Sequence, residues 1–153
     1  MTITATTPPA TRSDQPYNVI VRGTAKSFLQ EVISGQHRLQ ADEPESVGGN
    51  NLAPGPYDYL LIALGSCTSM TVGLYARRKQ IALETITVSL SHHRIHAADC
   101  EQCETKSGLL DQIDVRVELT GALTTEERAK LMEIAGKCPV HRTLKSEIDI
   151  RLV

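Results

Sequence analysis

The sequence has 153 residues, enough for one domain whose core needs no disulfide or metal to hold it. Its formal net charge of −2 argues against a nucleic-acid partner or an anionic membrane surface, because both favour strongly basic proteins. The longest apolar stretch, residues 60–75, is interrupted by small polar residues and falls short of the roughly 20 residues that span a bilayer. We therefore expect neither a nucleic-acid-binding protein nor a membrane protein.

The N-terminal residues carry no recognisable export signal. Residues 1–15 are rich in Thr, Pro and Ala, and they contain neither a cationic start nor an apolar run. We predict a flexible tail over residues 1–15, followed by a single domain over residues 16–153. A protein that is not exported is expected in the cytoplasm, where thiols stay reduced, so the four cysteines are predicted to be free.

The chain begins, after this tail, with three short runs that are rich in β-forming residues. These runs, residues 17–22, 28–33 and 36–41, are separated by glycine-containing turns and predict a three-stranded antiparallel meander. Residues 42–56 concentrate Gly, Pro and Asn, which predicts a loop. At its end Pro56 suits the first position of a helix, where the missing N–H costs nothing.

The long segment from Tyr57 to Gln80 predicts a buried helix. Apolar side chains fall on nearly every face of it, which is typical of a helix covered all round by protein. Three basic residues, 77–79, close the segment, where the negative end of the helix dipole favours cations.

Strands and one more helix are predicted for the rest of the chain. Apolar and polar residues alternate with period two over 85–90, 112–119 and 147–152, which predicts half-buried strands of antiparallel sheets. Between the last two strands, Thr124 to Glu127 forms a capping box that opens a helix. Blocks of strands with helices set between them are typical of the α+β class.

Two of the cysteines stand at places with distinct chemistry. Cys67 lies well beyond the first turn of the long helix, so an apolar core would leave it a packed thiol unless a cation lies nearby. Cys138 precedes Pro139, which suits the first position of another helix, so Cys138 is predicted to be its N-cap. Free amides there stabilise a thiolate, which predicts that Cys138 is the more acidic thiol. Taken singly, each cysteine is better explained as a buried packing residue.

The segments around these cysteines resemble a known family. The runs PYDYLLIALGSCTSMT and KCPVHRTL, at matched spacing, are similar to the OsmC/Ohr family of cysteine-dependent hydroperoxide reductases, over a range from about Gly35 to Val153. The ADEP and GG segments before the helix and the C-x-x-C after it resemble a less characterised subgroup. The resemblance implies an OsmC-like α+β fold with antiparallel sheets packed on a long central helix. It also implies an intertwined homodimer with its two sites at the subunit interface.

The resemblance further implies a peroxidase chemistry. Cys67 would be the peroxidatic thiolate and Cys138 the resolving thiol of a sulfenic acid and disulfide cycle that reduces organic or fatty-acid hydroperoxides to alcohols. An arginine from the N-terminal region and a carboxylate near the start of the long helix would activate the peroxidatic sulfur. Arg22 and Arg38 are both candidates for the arginine, and Asp58 is the candidate carboxylate. No cofactor is implied beyond an external dithiol reductant.

A second cluster of potential ligands lies between the later strands. The run HHRIHAADCEQC gathers three histidines with a Cys100–Cys103 pair that has the spacing of half a zinc knuckle. A structural zinc site normally needs a second such pair, so we expect an exposed loop with incidental thiols. If the loop bound a metal, which is the less favoured interpretation, Cys100, Cys103 and His96 would be its candidate ligands. Two alternatives to a peroxidase stay open: a non-catalytic metal-binding protein in which Cys67 only packs, and a dimeric carrier of apolar small molecules.

Overall fold

The computed structural model describes residues 18–153, so the tail predicted over residues 1–15 lies outside the described residues. The described chain belongs to the α+β class, with antiparallel strands and one long helix, as expected. It divides into two compact units, one ending at Tyr59 and the other covering Leu60–Val153. The boundary falls inside a helix, and the single domain over residues 16–153 stays a prediction.

The first unit contains a three-stranded antiparallel meander. Its strands are β1 (Val19–Arg22), β2 (Gln30–Ser34) and β3 (His37–Ala41), and they lie in the order β1-β2-β3. In the tight turn between β2 and β3, Gly35 adopts a positive φ of 59°, which glycine accepts without strain. The predicted meander is therefore confirmed, with strand ends displaced by one or two residues.

Residues 42–55 form the predicted loop, and one buried carboxylate organises it. Asp42 is 1% exposed, and its side chain accepts hydrogen bonds from the backbone N–H groups of Glu43 (2.9 Å), Asn50 (3.2 Å) and Leu52 (3.1 Å). Burial of the carboxylate raises its pKa, but these hydrogen bonds outweigh burial and leave the pKa of Asp42 below its usual value. The charged side chain therefore ties the two ends of the loop together.

Helix α1 (Pro56–Lys79) begins at the predicted proline, but it buries one stripe and not its whole surface. The buried stripe follows the helical period: Leu64, Gly65, Thr68, Val72 and Ala76. Apolar side chains off this stripe contact solvent, with Met70 71% exposed and Ile62 50% exposed. The prediction of a helix buried on every face is therefore wrong for the described chain.

The same helix has the length and composition of a membrane span. It contains 24 residues with a mean hydropathy of 1.4, and 28% of its most apolar window is buried inside the structure. The apolar stretch 60–75 lies inside this longer helix, which extends beyond it at both ends. A core helix passes the same test, and α1 packs its buried stripe against other elements of the second unit, so we interpret it as a core helix.

A long antiparallel hairpin and two helices complete the second unit. Strand β4 (Leu83–His96) pairs with β5 (Leu109–Gly121) along their length, and both strands extend further than predicted. Helix α2 (Thr125–Ala135) follows, and then the short helix α3 (Pro139–Leu144). The buried core of this unit joins α1, β5 and α2 through five residues: Val72, Ala76, Leu119, Leu131 and Ala135.

The predicted capping box opens helix α2. The Thr124 hydroxyl accepts a hydrogen bond from the Glu127 N–H at 3.1 Å, and the Glu127 carboxylate accepts one from the Thr124 N–H at 2.9 Å. Each of these side chains thus accepts a hydrogen bond from a backbone N–H that has no partner within the helix. Residues that are neighbours in the sequence therefore specify where this helix begins.

Residues 147–152 do not form the predicted strand. They belong to no sheet among the described residues, and their apolar side chains are exposed, with Ile150 84% exposed. A strand needs a free edge that can pair with its backbone N–H and C=O groups. The alternating pattern indicates which face would be buried, but it does not provide that edge.

Candidate redox site

Helix α1 carries Cys67 at the margin of its buried stripe. The Cys67 side chain is half-buried, whereas the next residue, Thr68, is 2% exposed. Just before the cysteine, Gly65 faces β4 so closely that a Cβ atom there would lie 2.7 Å from the Leu90 side chain. The glycine therefore lets the helix and the strand approach each other closely beside Cys67.

Cys138 is positioned by the turn between α2 and α3. Helix α2 is capped at its C-terminus by Gly136, and Pro139 occupies the first position of α3, so Cys138 is the N-cap, as predicted. Its Sγ accepts a hydrogen bond from the His141 N–H at 3.3 Å, and the residue is completely buried. The His141 N–H, fixed by the first turn of α3, is therefore one donor to the Cys138 sulfur.

The fold brings the two cysteines together. Both are free thiols, and Cys67 is one of the neighbours that lower the pKa of Cys138. The Thr68 hydroxyl also reaches Cys138 Sγ, at 3.5 Å. Because Thr68 directly follows Cys67 in the sequence, this contact places the two cysteines in the same region of the second unit.

The thiol of Cys138 is acidified by its surroundings. Burial raises its pKa, but hydrogen bonds to the sulfur favour the charged form and outweigh burial, so the pKa of Cys138 is lowered from its usual value. The donors are the Thr68 hydroxyl, the His141 N–H, the Cys67 thiol and the Val140 N–H. The predicted acidification of Cys138 is therefore confirmed in direction.

Thr68 is a site residue that sequence reasoning missed. In the sequence it is one of several polar interruptions in an apolar stretch, and nothing local links it to Cys138, 70 positions away. Its hydroxyl also donates to the Leu64 carbonyl at 2.8 Å, the common bond of a helical threonine to the preceding turn. Its position directly after Cys67, and four residues after Leu64, is the signal that could have identified it.

The two candidate arginines lie in the first unit, on the meander. Arg38 of β3 is 2.9 Å from the carboxylate of Glu31 on β2, and Arg22 of β1 is 4.0 Å from it. All three side chains are exposed. The structure thus brings both arginines to one carboxylate, and their action on Cys67 stays a prediction.

Asp58, the candidate carboxylate, lies in the first turn of α1. Its carboxylate accepts a hydrogen bond from the Gly55 N–H at 2.8 Å, and a negative charge at this position also suits the helix dipole. These contacts tie the start of the helix to the preceding loop. An activating effect on Cys67 stays a prediction.

The Cys100–Cys103 pair is joined by a disulfide in the loop between β4 and β5. The two Cα atoms are 5.4 Å apart, within the range that a disulfide spans. The prediction that all four cysteines are free is therefore wrong for this pair, because the loop folds back and juxtaposes the two side chains. Among residues 18–153, no group of three or more His, Cys, Asp or Glu side chains could hold a metal ion. Metal binding by the pair with His96 would require its reduction, since thiolates are the ligands.

Comparison with known proteins places the chain in a family. The profile of the family described as OsmC-like protein matches residues 48–153, a range that contains both Cys67 and Cys138. The chain therefore belongs to the OsmC-like protein family, as the two cysteine segments indicated. Among curated proteins, none matches the sequence.

Solved structures share the fold at low sequence identity. An OsmC-like protein from Mycoplasma pneumoniae is 23% identical, with a TM-score of 0.66 and coverage of 87% of this chain and 89% of that one. An osmotic stress induced and detoxification response protein from Psychrobacter arcticus is 19% identical, with a TM-score of 0.66 and coverage of 85% and 89%. An organic hydroperoxide resistance protein from Legionella pneumophila is 20% identical, with a TM-score of 0.60 and coverage of 89% and 95%. These similarities establish the OsmC-like fold.

Proposed function

We propose that the protein is a thiol-dependent peroxidase that reduces organic or fatty-acid hydroperoxides to alcohols. The observation that supports this most is the proximity of two free thiols: the buried Cys138 contacts Thr68, which directly follows the half-buried Cys67. Membership of the OsmC-like family supports the same activity, and the Legionella relative is named for resistance to organic hydroperoxides. A neighbouring pair of thiols can be oxidised to a disulfide by one equivalent of peroxide.

The two sulfurs are assigned to their steps by accessibility. The Cys67 thiolate attacks the terminal oxygen of the hydroperoxide, the O–O bond breaks, and the alcohol leaves with a proton, so that Cys67 becomes a sulfenic acid. Cys138 then attacks the sulfenic sulfur, which forms the Cys67–Cys138 disulfide and releases water. An external dithiol reduces the disulfide by exchange. Each turnover thus reduces one hydroperoxide and oxidises one dithiol.

The surroundings of Cys67 favour an organic hydroperoxide over hydrogen peroxide. Met70 lies three residues further along the helix, where side chains are neighbours on the helix surface, and it is 71% exposed. Apolar surface beside the reactive sulfur gives an apolar substrate tail a place to bind. We therefore assign the substrate to the class of alkyl and fatty-acid hydroperoxides.

We further propose that the active species is a soluble, cytoplasmic homodimer. The exposed apolar side chains of α1 are the reason for the second copy, because a monomer would leave them in water. Arg22 or Arg38, and Asp58, are retained as the groups that ionise Cys67, from the same or the second subunit.

The test measures consumption of cumene hydroperoxide with a small dithiol as reductant. We expect Cys67→Ser to abolish turnover, and we expect mass analysis of peroxide-treated wild type to show a Cys67–Cys138 disulfide. The matched control is the Cys100→Ser/Cys103→Ser variant, which should retain the wild-type rate because that pair has no part in the cycle. Consumption by Cys67→Ser as fast as by wild type would show that the proposal is wrong.

A carrier of apolar small molecules is the alternative that the exposed apolar residues of α1 favour. This function predicts that the purified protein retains an apolar ligand without converting it. Ligand retention in that case would be the same for wild type and Cys67→Ser.

A further inference from the structure

The Cys100–Cys103 disulfide lies where a reductant in solution can reach it. It is in the loop at the tip of the β4–β5 hairpin, and both cysteines are half-buried. The two residues between them, Glu101 and Gln102, are exposed. Exposed disulfides are the labile, regulatory or catalytic ones, because thiol–disulfide exchange requires access to a sulfur. This bond is therefore accessible to exchange.

The loop does not depend on the bond to keep its shape. The bond has a sequence separation of three, so it removes little entropy from the unfolded chain. Two backbone hydrogen bonds hold the loop as well, from the Ala97 N–H to the Gly108 carbonyl at 2.8 Å and from the Cys100 N–H to the Ala97 carbonyl at 3.2 Å. Ala97 itself is 1% exposed. The loop is therefore expected to stay folded when the disulfide opens, which leaves the two sulfurs close enough to close it again.

Lys106 distinguishes the two sulfurs of the bond. Its ammonium donates a hydrogen bond to the Cys103 carbonyl at 2.6 Å. Because that carbonyl and the Cys103 sulfur belong to one residue, the positive charge lies within a Debye length of the sulfur, roughly 8 Å. A nearby cation stabilises a thiolate, and the sulfur that forms the more stable thiolate leaves faster. Cys103 is therefore the leaving sulfur, and Cys100 is the sulfur that a reductant attacks.

The charges around the disulfide select among reductants. Three exposed carboxylates border the two cysteines: Asp99, Glu101 and Glu104. The single ammonium of this loop segment, on Lys106, is bound to the loop's own carbonyl. On the adjoining strands, the Arg94 guanidinium is 3.3 Å from the Asp111 carboxylate, so these two charges offset each other. A negatively charged thiol is therefore repelled from the bond, whereas a neutral or positively charged one is not.

We propose that the Cys100–Cys103 pair is a second redox site of the protein, which exchanges with small thiol reductants that carry no negative charge. This site goes beyond the proposed peroxidase function, because it acts whether or not the protein consumes peroxide. Cys67 and Cys138 take no part in the exchange.

The exchange has two steps when the reductant is a dithiol. One thiolate of the reductant attacks Cys100 Sγ, the bond to Cys103 breaks, and its electron pair leaves on Cys103 Sγ as a thiolate. The second thiolate of the reductant then attacks the reductant's own sulfur in this mixed disulfide and releases the Cys100 thiolate. The loop gains two electrons, the reductant becomes a disulfide, and the two protons that the reductant gave up return to the cysteines through solvent.

The test measures how fast small thiols of different charge open this disulfide in the wild-type protein. The probes are cysteamine, which is a cation, 2-mercaptoethanol, which is neutral, and 3-mercaptopropionate, which is an anion. Each rate is divided by the rate at which the same thiol opens 2-hydroxyethyl disulfide, a neutral small molecule, which corrects for intrinsic reactivity. Samples are quenched with acid and alkylated, and mass analysis then reports the state of each cysteine.

We expect the corrected rate for cysteamine to exceed that for 3-mercaptopropionate about tenfold at low ionic strength, with 2-mercaptoethanol between them. The ratio should fall towards one at about 1 M salt, where the Debye length is roughly 3 Å. Glu101→Gln/Glu104→Gln should reduce the preference to about threefold. Glu84→Gln/Glu126→Gln is the matched control, since it removes two exposed carboxylates outside the loop and should leave the ratio unchanged.

A second measurement assigns the leaving sulfur. A monothiol leaves a mixed disulfide on the sulfur that it attacks, so fragmentation of the alkylated peptide should locate 2-mercaptoethanol on Cys100 and the alkyl group on Cys103. Lys106→Met, which removes the charge but keeps the length of the side chain, should distribute the adduct over both cysteines. Lys79→Met, at the end of α1, is the control and should retain the wild-type position.

The proposal is overturned if the protein disulfide stays closed while all three thiols open 2-hydroxyethyl disulfide. Equal corrected rates for the cation and the anion at low salt would overturn it as well, and an adduct on Cys103 would contradict the assignment of the leaving sulfur. Circular dichroism establishes that each variant is folded. Cys67→Ser, which ends the proposed peroxidase cycle, should open at the wild-type rate, so a failure of the peroxidase function and a failure of this inference are distinguishable.

Discussion

Gln80 directly follows the last residue of helix α1, and its backbone adopts a conformation that is unfavourable for a residue with a side chain. Its φ is 55°, in the left-handed region that glycine adopts most easily. Two hydrogen bonds close the helix around it, from the Ile81 N–H to the Ala76 carbonyl at 3.0 Å and from the Gln80 N–H to the Arg77 carbonyl at 3.3 Å. This is the Schellman pattern, in which the residue at the Gln80 position is usually glycine.

Replacing Gln80 by glycine is therefore expected to stabilise the protein. Gln80→Gly should raise the free energy of unfolding by about 0.5–1 kcal/mol, because the backbone strain of a side chain at positive φ is removed. Urea denaturation measures the change. Lys79→Gly is the matched control: Lys79 lies within the regular helix, so glycine there should lower the free energy of unfolding. A destabilised Gln80→Gly would contradict the prediction.

The charge of Asp42 is expected to matter for stability against acid. Because the pKa of Asp42 is lowered in the folded protein, its contribution to stability is complete above the pKa of an unfolded aspartate, roughly 3.9. That contribution is lost as the pH falls through the lower folded-state pKa. Asp42→Asn should therefore be less stable than wild type at neutral pH, and the difference should shrink in acid.

Urea denaturation at neutral pH and at roughly pH 3 measures this difference for Asp42→Asn. Glu45→Gln is the control within the same loop, since it also removes one carboxylate but at an exposed position. A difference between wild type and Asp42→Asn that stays constant over this range would show that the charge is not responsible.

The helices and strands of this fold could be predicted where the residues that determine them are neighbours in the sequence. The capping box at Thr124 and the proline at Pro139 specify helix starts through neighbours in the sequence, and both predictions are confirmed. The strand over 147–152 was not predictable, because pairing depends on a distant edge. For the same reason, the sequence specified the N-cap Cys138 but not the contact of its sulfur with Thr68.

The capping box gives a prediction for helix α2. Thr124→Ala should lower the free energy of unfolding by about 1 kcal/mol, because the Glu127 N–H loses its hydrogen-bond acceptor. Thr125→Ala, at the adjacent exposed position within the helix, is the matched control and should change stability much less. Equal losses in the two variants would assign the effect to the residue type and not to the cap.

The Cys100–Cys103 disulfide gives a prediction for the hairpin loop. It closes a loop with a sequence separation of only three, so the entropy it removes from the unfolded chain is small. Cys100→Ser/Cys103→Ser should therefore lower the free energy of unfolding by no more than about 2 kcal/mol. Thermal unfolding under oxidising conditions measures the loss, and a larger one would indicate that the bond supports more than its own loop.

At the scale of the whole molecule, the exposed apolar side chains of α1 are the feature that a dimer would explain. Met70→Glu places a charge on this surface and should shift the protein from dimer towards monomer, as measured by sedimentation equilibrium. Met132→Glu, on the exposed side of α2, is the matched control and should leave the assembly unchanged. A wild-type protein that sediments as a monomer at all concentrations would contradict the proposed homodimer.

The β4–β5 hairpin packs on the rest of its unit from its Leu83 end as far as Leu90, which approaches Gly65 of α1 closely. Its strands reach about 40 Å, but the residues that pack on the core, such as Leu83 and Leu119, lie at the end remote from the Cys100–Cys103 loop. A two-stranded ribbon has little stability of its own in water. Amide hydrogens should therefore exchange with deuterium slowly beside the core and progressively faster towards the tip. Fraying of this kind would expose the tip disulfide to reductants while Cys138 stays buried.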